Sequence, residues 1–154
     1  MSELDDRVDV FLAHLTHERR VSTHTQAAYA RDLGSAADWL EERGIPDWTR
    51  VTTADLREFI AARHRAGLKP ASLARLVSAL RSFYTWQMRE GLAVRNPATD
   101  VRAPKRPARL PETVDVDDLA AMLDVAPSDD LDIRDHALLE LFYSAGVRLA
   151  EAVG

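Results

Sequence analysis

The stretch "PASLARLVSALRSFYTWQMREG", residues 70–91, decides the fold. Leu73, Leu76, Val77, Leu80, Phe83, Tyr84 and Met88 recur at the three-and-four spacing of a helix buried along one side. At 100° per residue they fall within an arc of about 140°. Pro70 suits a first helical turn, where its missing N–H leaves no intrahelical bond unmade, and Gly91 offers a left-handed stop. A helix so apolar along one side needs partners to cover it, so the stretch predicts a bundle.

Its other side carries Arg75, Ser78, Ser82, Thr85 and Arg89, with Arg81 at the edge, and residues 70–89 contain no acidic side chain. Arginine and hydroxyl groups on such a face suit phosphate oxygens and base edges in a major groove. An ordinary solvated face would mix both signs of charge. Trp86 falls near this polar side. Burial against another part of the chain is expected for it, since large aromatic surface seldom stays exposed.

Working outward, three more amphipathic segments precede this one. The first covers about Glu3 to Arg19, with Leu4, Val8, Phe11, Leu12 and Leu15 on one stripe. The second is capped by Ser22 or Thr23, with Thr23 and Gln26 at capping-box spacing, and Gly44 is its stop. It buries Tyr29, Leu33, Ala36 and Leu40 and sets His24, Arg31 and Ser35 opposite them. A third runs from a Thr52 cap through Leu56, Phe59 and Ile60 to Gly67. Strand patterns are nearly absent. The fold class is all-α, a four-helix bundle.

Downstream the pattern changes. "NPATDVRAPKRPARLPET", residues 96–113, carries Pro97, Pro104, Pro107 and Pro111 among Arg102, Lys105, Arg106 and Arg109, and predicts a stiff, basic linker. Asp115 can then cap a short helix, and a longer one from about Asp132 uses Ile133, Leu138, Leu141 and Phe142, with Tyr143 packed in it. The domains are therefore expected at 1–95, 96–112 and 113–154.

The net charge of -5 conceals a segregation of sign. Residues 51–111 hold 12 basic and 4 acidic side chains, whereas residues 112–154 hold 2 and 11. A basic middle is a local footprint for a polyanion that the overall pI would hide. The absence of cysteine excludes disulfides and thiolate metal sites. His14, His17, His24, His64 and His136 form no ligand spacing, so no metal and no cofactor is expected. Tyr29 and Tyr84 lie on core stripes and read as packing groups. The acidic start "MSELDDRVDV" is unlike a signal peptide, and no apolar run approaches a bilayer span, so a cytoplasmic protein is expected.

Four motifs occur in order: "SALRSFYTW" (78–86), "NPA" (96–98), "APKRPARLP" (103–111) and "RDHALLELFYSAGVRLAE" (134–151). Together they resemble the tyrosine recombinases of the phage integrase family, most nearly the Xer type. The resemblance implies an N-terminal core-binding, SAM-like bundle that grips one side of duplex DNA. A linker would follow the backbone, and the last segment would be the start of a catalytic domain. On that reading His24, Arg31, Ser35, Arg75, Ser78, Arg81, Ser82 and Arg89 contact DNA from the bundle, and Lys105 and Arg106 from the linker.

Within "GVRLAE", Arg148 matches the first of the family's two active-site arginines, expected to bind the scissile phosphate and stabilise charge in the transition state. Glu151 would orient that segment, and Arg134 and Asp135 would be structural. The family's Lys, His-x-x-Arg, further His or Trp, and Tyr nucleophile match nothing in these 154 residues. The resemblance therefore implies a fragment with an incomplete active site. The implied partners are a recombination half-site and, at full length, a second recombinase subunit within a tetramer. Full-length relatives resolve chromosome dimers, and phage or transposon integrases share the same motifs. Two other readings stay open: a protein that only binds DNA, and a helical module whose basic stripe binds an acidic protein surface.

Overall fold

The computed structural model describes residues 2–18, 22–104, 115–126 and 128–153. Two compact units follow one another along the chain, Met1–Pro107 and Ala108–Gly154. The first contains α1 (Glu3–Glu18), α2 (Thr23–Glu42), a 3-10 turn (Trp48–Arg50), α3 (Thr53–Arg65) and α4 (Pro70–Arg89). The second contains α5 (Val116–Leu123), α6 (Asp130–Ala145) and α7 (Leu149–Val153). The described residues include no strand, and none of their helices is long and apolar enough to cross a membrane.

The expected stripe makes α4 the centre of the first unit, packed against α1, α2 and α3. Leu73, Leu80 and Phe83 are fully buried, each contributing about 1.5–3 kcal/mol through removal of apolar surface from water. Phe83 meets Phe11 of α1 edge-on at 5.3 Å between centroids and Trp48 at 4.7 Å. Trp48 is tied from two directions: its indole N–H donates to the Leu4 carbonyl at 3.0 Å, and its own carbonyl accepts from the Tyr84 hydroxyl at 3.0 Å. Burial pushes the Tyr84 phenol far above its ordinary pKa, so it remains a protonated donor. Trp86 is buried as expected, against Phe11 at 5.5 Å and stacked on Phe83 at 5.9 Å.

Local signals set the helix ends. Thr52 and Asp55 form a reciprocal capping box at α3. At α2 the cap is Ser22, whose side chain accepts from the Thr25 N–H, so the Thr23–Gln26 box is not formed. Gln26 instead accepts from the Thr16 hydroxyl across to α1, at 3.3 Å. Met88, expected in the core stripe, is exposed, whereas Trp86 and Gln87 beside it in the same turn are buried.

Residues 96–101 depart from the extended form expected of the linker, whose residues 105–112 lie outside the described ones. Pro97, Ala98 and Val101 are buried, and the chain turns at Asn96 and again at Ala98, through Thr99 N–H to Asn96 C=O at 3.3 Å and Val101 N–H to Ala98 C=O at 3.2 Å. Prolines here shape a packed turn, so the first unit extends beyond residue 95.

In the second unit, Asp115 caps α5 and Asp129 caps α6, which begins at Asp130, two residues before the expected start. Gly146, at φ 59°, ends α6 in the left-handed region. His136 Nε2 and the Leu123 carbonyl, 2.7 Å apart, join α6 to α5. Contrary to expectation, Ile133, Leu138, Leu141 and Tyr143 are exposed, and no described helix of this unit holds a buried residue. Two helices and a short third offer no further layer to close over their apolar sides.

Candidate nucleic-acid interface

The polar stripes of α2 and α4 meet through one ion pair. Asp32 accepts from Arg75 Nε at 2.8 Å and from Nη2 at 3.1 Å. The Asp32 side chain is 7% exposed and that of Arg75 41%. The face of α4 that lacks acids of its own is therefore met by one from α2. Ser35, one turn along from Asp32, donates to the Asp32 carbonyl at 2.9 Å. His24 and Arg31 are exposed on α2, and Ser78 and Arg89 on α4.

The hydroxyls of α4 are turned back onto their own helix. Ser78 donates to the Ala74 carbonyl at 3.0 Å and Thr85 to the Arg81 carbonyl at 2.7 Å, which leaves both oxygens able to accept. Ser82, half-buried, lines a cleft of about 210 Å³ between α1 and α4, together with His14, Arg81, Thr85, Trp86 and Arg89. Trp86 accordingly has its polar-side position and its burial at once.

Arg81 has a task that its sequence position does not reveal. Its Nε donates to the Ala98 carbonyl at 3.0 Å and its Nη2 to the Val101 carbonyl at 2.5 Å. Asn96 donates to the Arg81 carbonyl at 3.0 Å and to Thr85 Oγ1 at 3.2 Å, while its own side-chain oxygen accepts from Ala98 N–H at 3.0 Å. The turn that leads toward the linker is thereby fastened to the polar side of α4. Lys105 and Arg106 lie outside the described residues.

Arg148, in the second unit, is 83% exposed at the start of α7. Glu151 accepts from both its backbone N–H, at 2.9 Å, and its Nη1, at 3.1 Å. One carboxylate thus caps the short helix and holds the guanidinium. Arg134 pairs with its neighbour Asp135 at 2.7 Å on the surface.

Sequence reasoning missed two members of this arrangement, Asp32 and Asn96. Asp32 stands four residues before Ala36, on the flank of the core stripe, and faces a helix with three arginines and no acid. That pairing of signs was the available signal. Asn96 precedes a proline in a turn, a position where its side chain commonly bonds to backbone two residues on.

Residues 8–91 match the family described as phage integrase, N-terminal SAM-like domain. The chain is 46% identical to tyrosine recombinase XerC of Xanthomonas campestris pv. campestris over 144 residues, covering 94% of this chain and 45% of that protein. To tyrosine recombinase XerC of Pseudomonas aeruginosa it is 47% identical over 148 residues, covering 96% and 49%. It spans about half the length of these relatives. Among solved structures, the N-terminal domain of a phage integrase/site-specific recombinase from Haloarcula marismortui shares the fold at a TM-score of 0.58 and 21% identity, covering 64% of this chain and 92% of that one.

Proposed function

Because the chain belongs to the phage integrase N-terminal SAM-like domain family, we propose that it is the DNA-binding part of a Xer-type tyrosine recombinase, joined to the start of its catalytic domain. The first unit binds duplex DNA at a recombination half-site through the paired stripes of α2 and α4. His24, Arg31, Ser35, Ser78, Ser82 and Arg89 meet the DNA, Arg75 reads it, and Arg81 supports the exit of the linker, whose Lys105 and Arg106 follow the phosphates. The observation that carries this reading is the Asp32–Arg75 contact, which sets the two stripes side by side.

In a polypeptide of the relatives' full length, Arg148 donates to the scissile phosphate and stabilises the charge that builds there. A guanidinium offers that phosphate a planar pair of donors, which an ammonium cannot. The exposed Glu151 partner holds Arg148 in place and can be exchanged for phosphate oxygens when DNA arrives. The full-length protein cuts and rejoins DNA through a 3′-phosphotyrosyl intermediate. It works in the cytoplasm with a second recombinase subunit of XerD type in a tetramer, and it resolves chromosome dimers.

Equilibrium binding of the 154-residue chain to a half-site duplex over a salt series tests the reading. Phosphate contacts release counterions, so log K falls linearly with log salt. The expected slope is several units, with tighter binding to the half-site than to scrambled duplex. A flat response, or no binding at low salt, sinks the proposal.

A further inference from the structure

Asp32 and Gln87 are the buried polar side chains among the described residues, and Asp32 is the charged one. A carboxylate taken from water must be compensated, and Arg75 does so with one edge of its guanidinium, formed by Nε and Nη2. A guanidinium presents five N–H donors in a planar fork. The edge formed by Nη1 and the outer hydrogen of Nη2 remains, and among the described residues no acceptor meets Nη1. The Arg75 side chain is 41% exposed although its inner edge is fixed.

We propose that Asp32 is a positioning residue, which holds Arg75 so that its outer edge reads a guanine in the major groove of the bound duplex. Two parallel donors match the base edge that presents two acceptors, guanine N7 and O6, whereas adenine presents one acceptor and one donor. An arginine fixed before DNA arrives also loses less rotamer freedom on binding than a free one. This inference rests on the reading of the α2–α4 face as a DNA-binding surface.

The test uses the 154-residue chain and duplexes selected from a randomised pool, with each base pair of the selected site then replaced in turn. The wild-type chain should prefer G·C at one position by roughly 10- to 100-fold. Replacing that guanine with 7-deazaguanine, which lacks the N7 acceptor, should remove most of the preference. Asp32→Asn should shrink the preference at that position to about threefold or less, with affinity for scrambled duplex and the salt slope kept. A purely structural role would weaken every duplex alike and leave the preference intact, and that result overturns the proposal. If Asp32→Asn fails to fold by circular dichroism, Arg75→Ala gives the same readout: the donors that reach the base are gone, so the preference should vanish. Retention of the preference by Arg75→Ala overturns the proposal. Wild-type binding with no preference for any base pair overturns the inference alone, and absence of duplex binding overturns the DNA-binding reading beneath it.

Discussion

Arg81 and Asn96 hold one another from opposite ends. The Asn96 amide donates to the Arg81 carbonyl at 3.0 Å, while the Arg81 guanidinium donates to the Ala98 and Val101 carbonyls of the turn that Asn96 opens. Ala98 and Val101 are fully buried, so the clasp anchors a segment that also closes part of the core. The two partners stand fifteen positions apart in the chain, and α4 and the turn become one body.

Removing either partner should loosen that body. Arg81→Ala and Asn96→Ala should each cost about 1–3 kcal/mol, because buried or half-buried carbonyls lose their donors. The double variant should lose much less than the sum, since each side chain loses its purpose without the other. Urea unfolding of the four proteins measures this, and simple additivity would contradict the clasp.

Gln87 points the other way. Its side chain is fully buried, and neither the amide nitrogen nor the oxygen has a hydrogen-bond partner among the described residues. Gln87→Met, close in volume and free of polar demand, should therefore stabilise the chain by about 1–2 kcal/mol. A thermal melt reads the effect, and a lowered midpoint would mean that an ordered water satisfies the amide.

Asp47 caps the 3-10 turn, accepting from the Thr49 N–H at 2.7 Å and from the Thr49 hydroxyl. The Thr49 hydroxyl contributes most to holding its carboxyl below the ordinary value. Because folding lowers this pKa, the ionised cap stabilises the fold above the ordinary carboxylate pKa and loses its contribution as pH falls below about 4. Asp47→Ala should cost ~1 kcal/mol or less near neutrality, the cap being partly in solvent, with the difference from wild type fading in acid. Stability measured from pH 7 down to pH 3 checks the sign: a difference that grows in acid would be the wrong one.

On the proposed reading, Arg89 belongs to binding and Arg148 to chemistry, and the two can be separated. Arg89→Ala should reduce the slope of log K against log salt by about 1 and weaken cognate and scrambled duplexes alike. In a polypeptide continued to the relatives' length, Arg148→Ala should leave binding nearly intact. It should slow covalent adduct formation on a nicked substrate by about 10²–10³-fold, by analogy with loss of one preorganised donor. Arg148→Lys should recover little of it. Cleavage at the wild-type rate by Arg148→Ala would place the active site elsewhere.

The bundle was legible because a buried helix writes its period into its own residues. Leu73, Leu80 and Phe83 need no knowledge of their partners to be read as core, and each is fully buried. Met88 shares the period yet is exposed, since periodicity says which residues share a side but not how completely each is covered. The site was less legible. Arg75 stands out by charge, but its meaning depends on Asp32, 43 residues away. In the second unit the apolar residues of α6 have the spacing of a packed helix while remaining exposed, so period alone did not establish what covers them.

All three tryptophans lie in the first unit: Trp39 beneath the Arg43 guanidinium, Trp48 pinned between Leu4 and Tyr84, and Trp86 beside the cleft of α1 and α4. The chain thus carries an intrinsic optical label confined to one of its two units. Indole emission follows the melting of residues 1–107 and is blind to the remainder, whereas far-ultraviolet circular dichroism sums the helices of both. Two superimposable curves would mean that the two units melt together, and two displaced curves would time them separately, without any dye. Trp86 adds a second use, for it is a neighbour of Ser82 and Arg89, where an arriving duplex would change its surroundings and hence its colour.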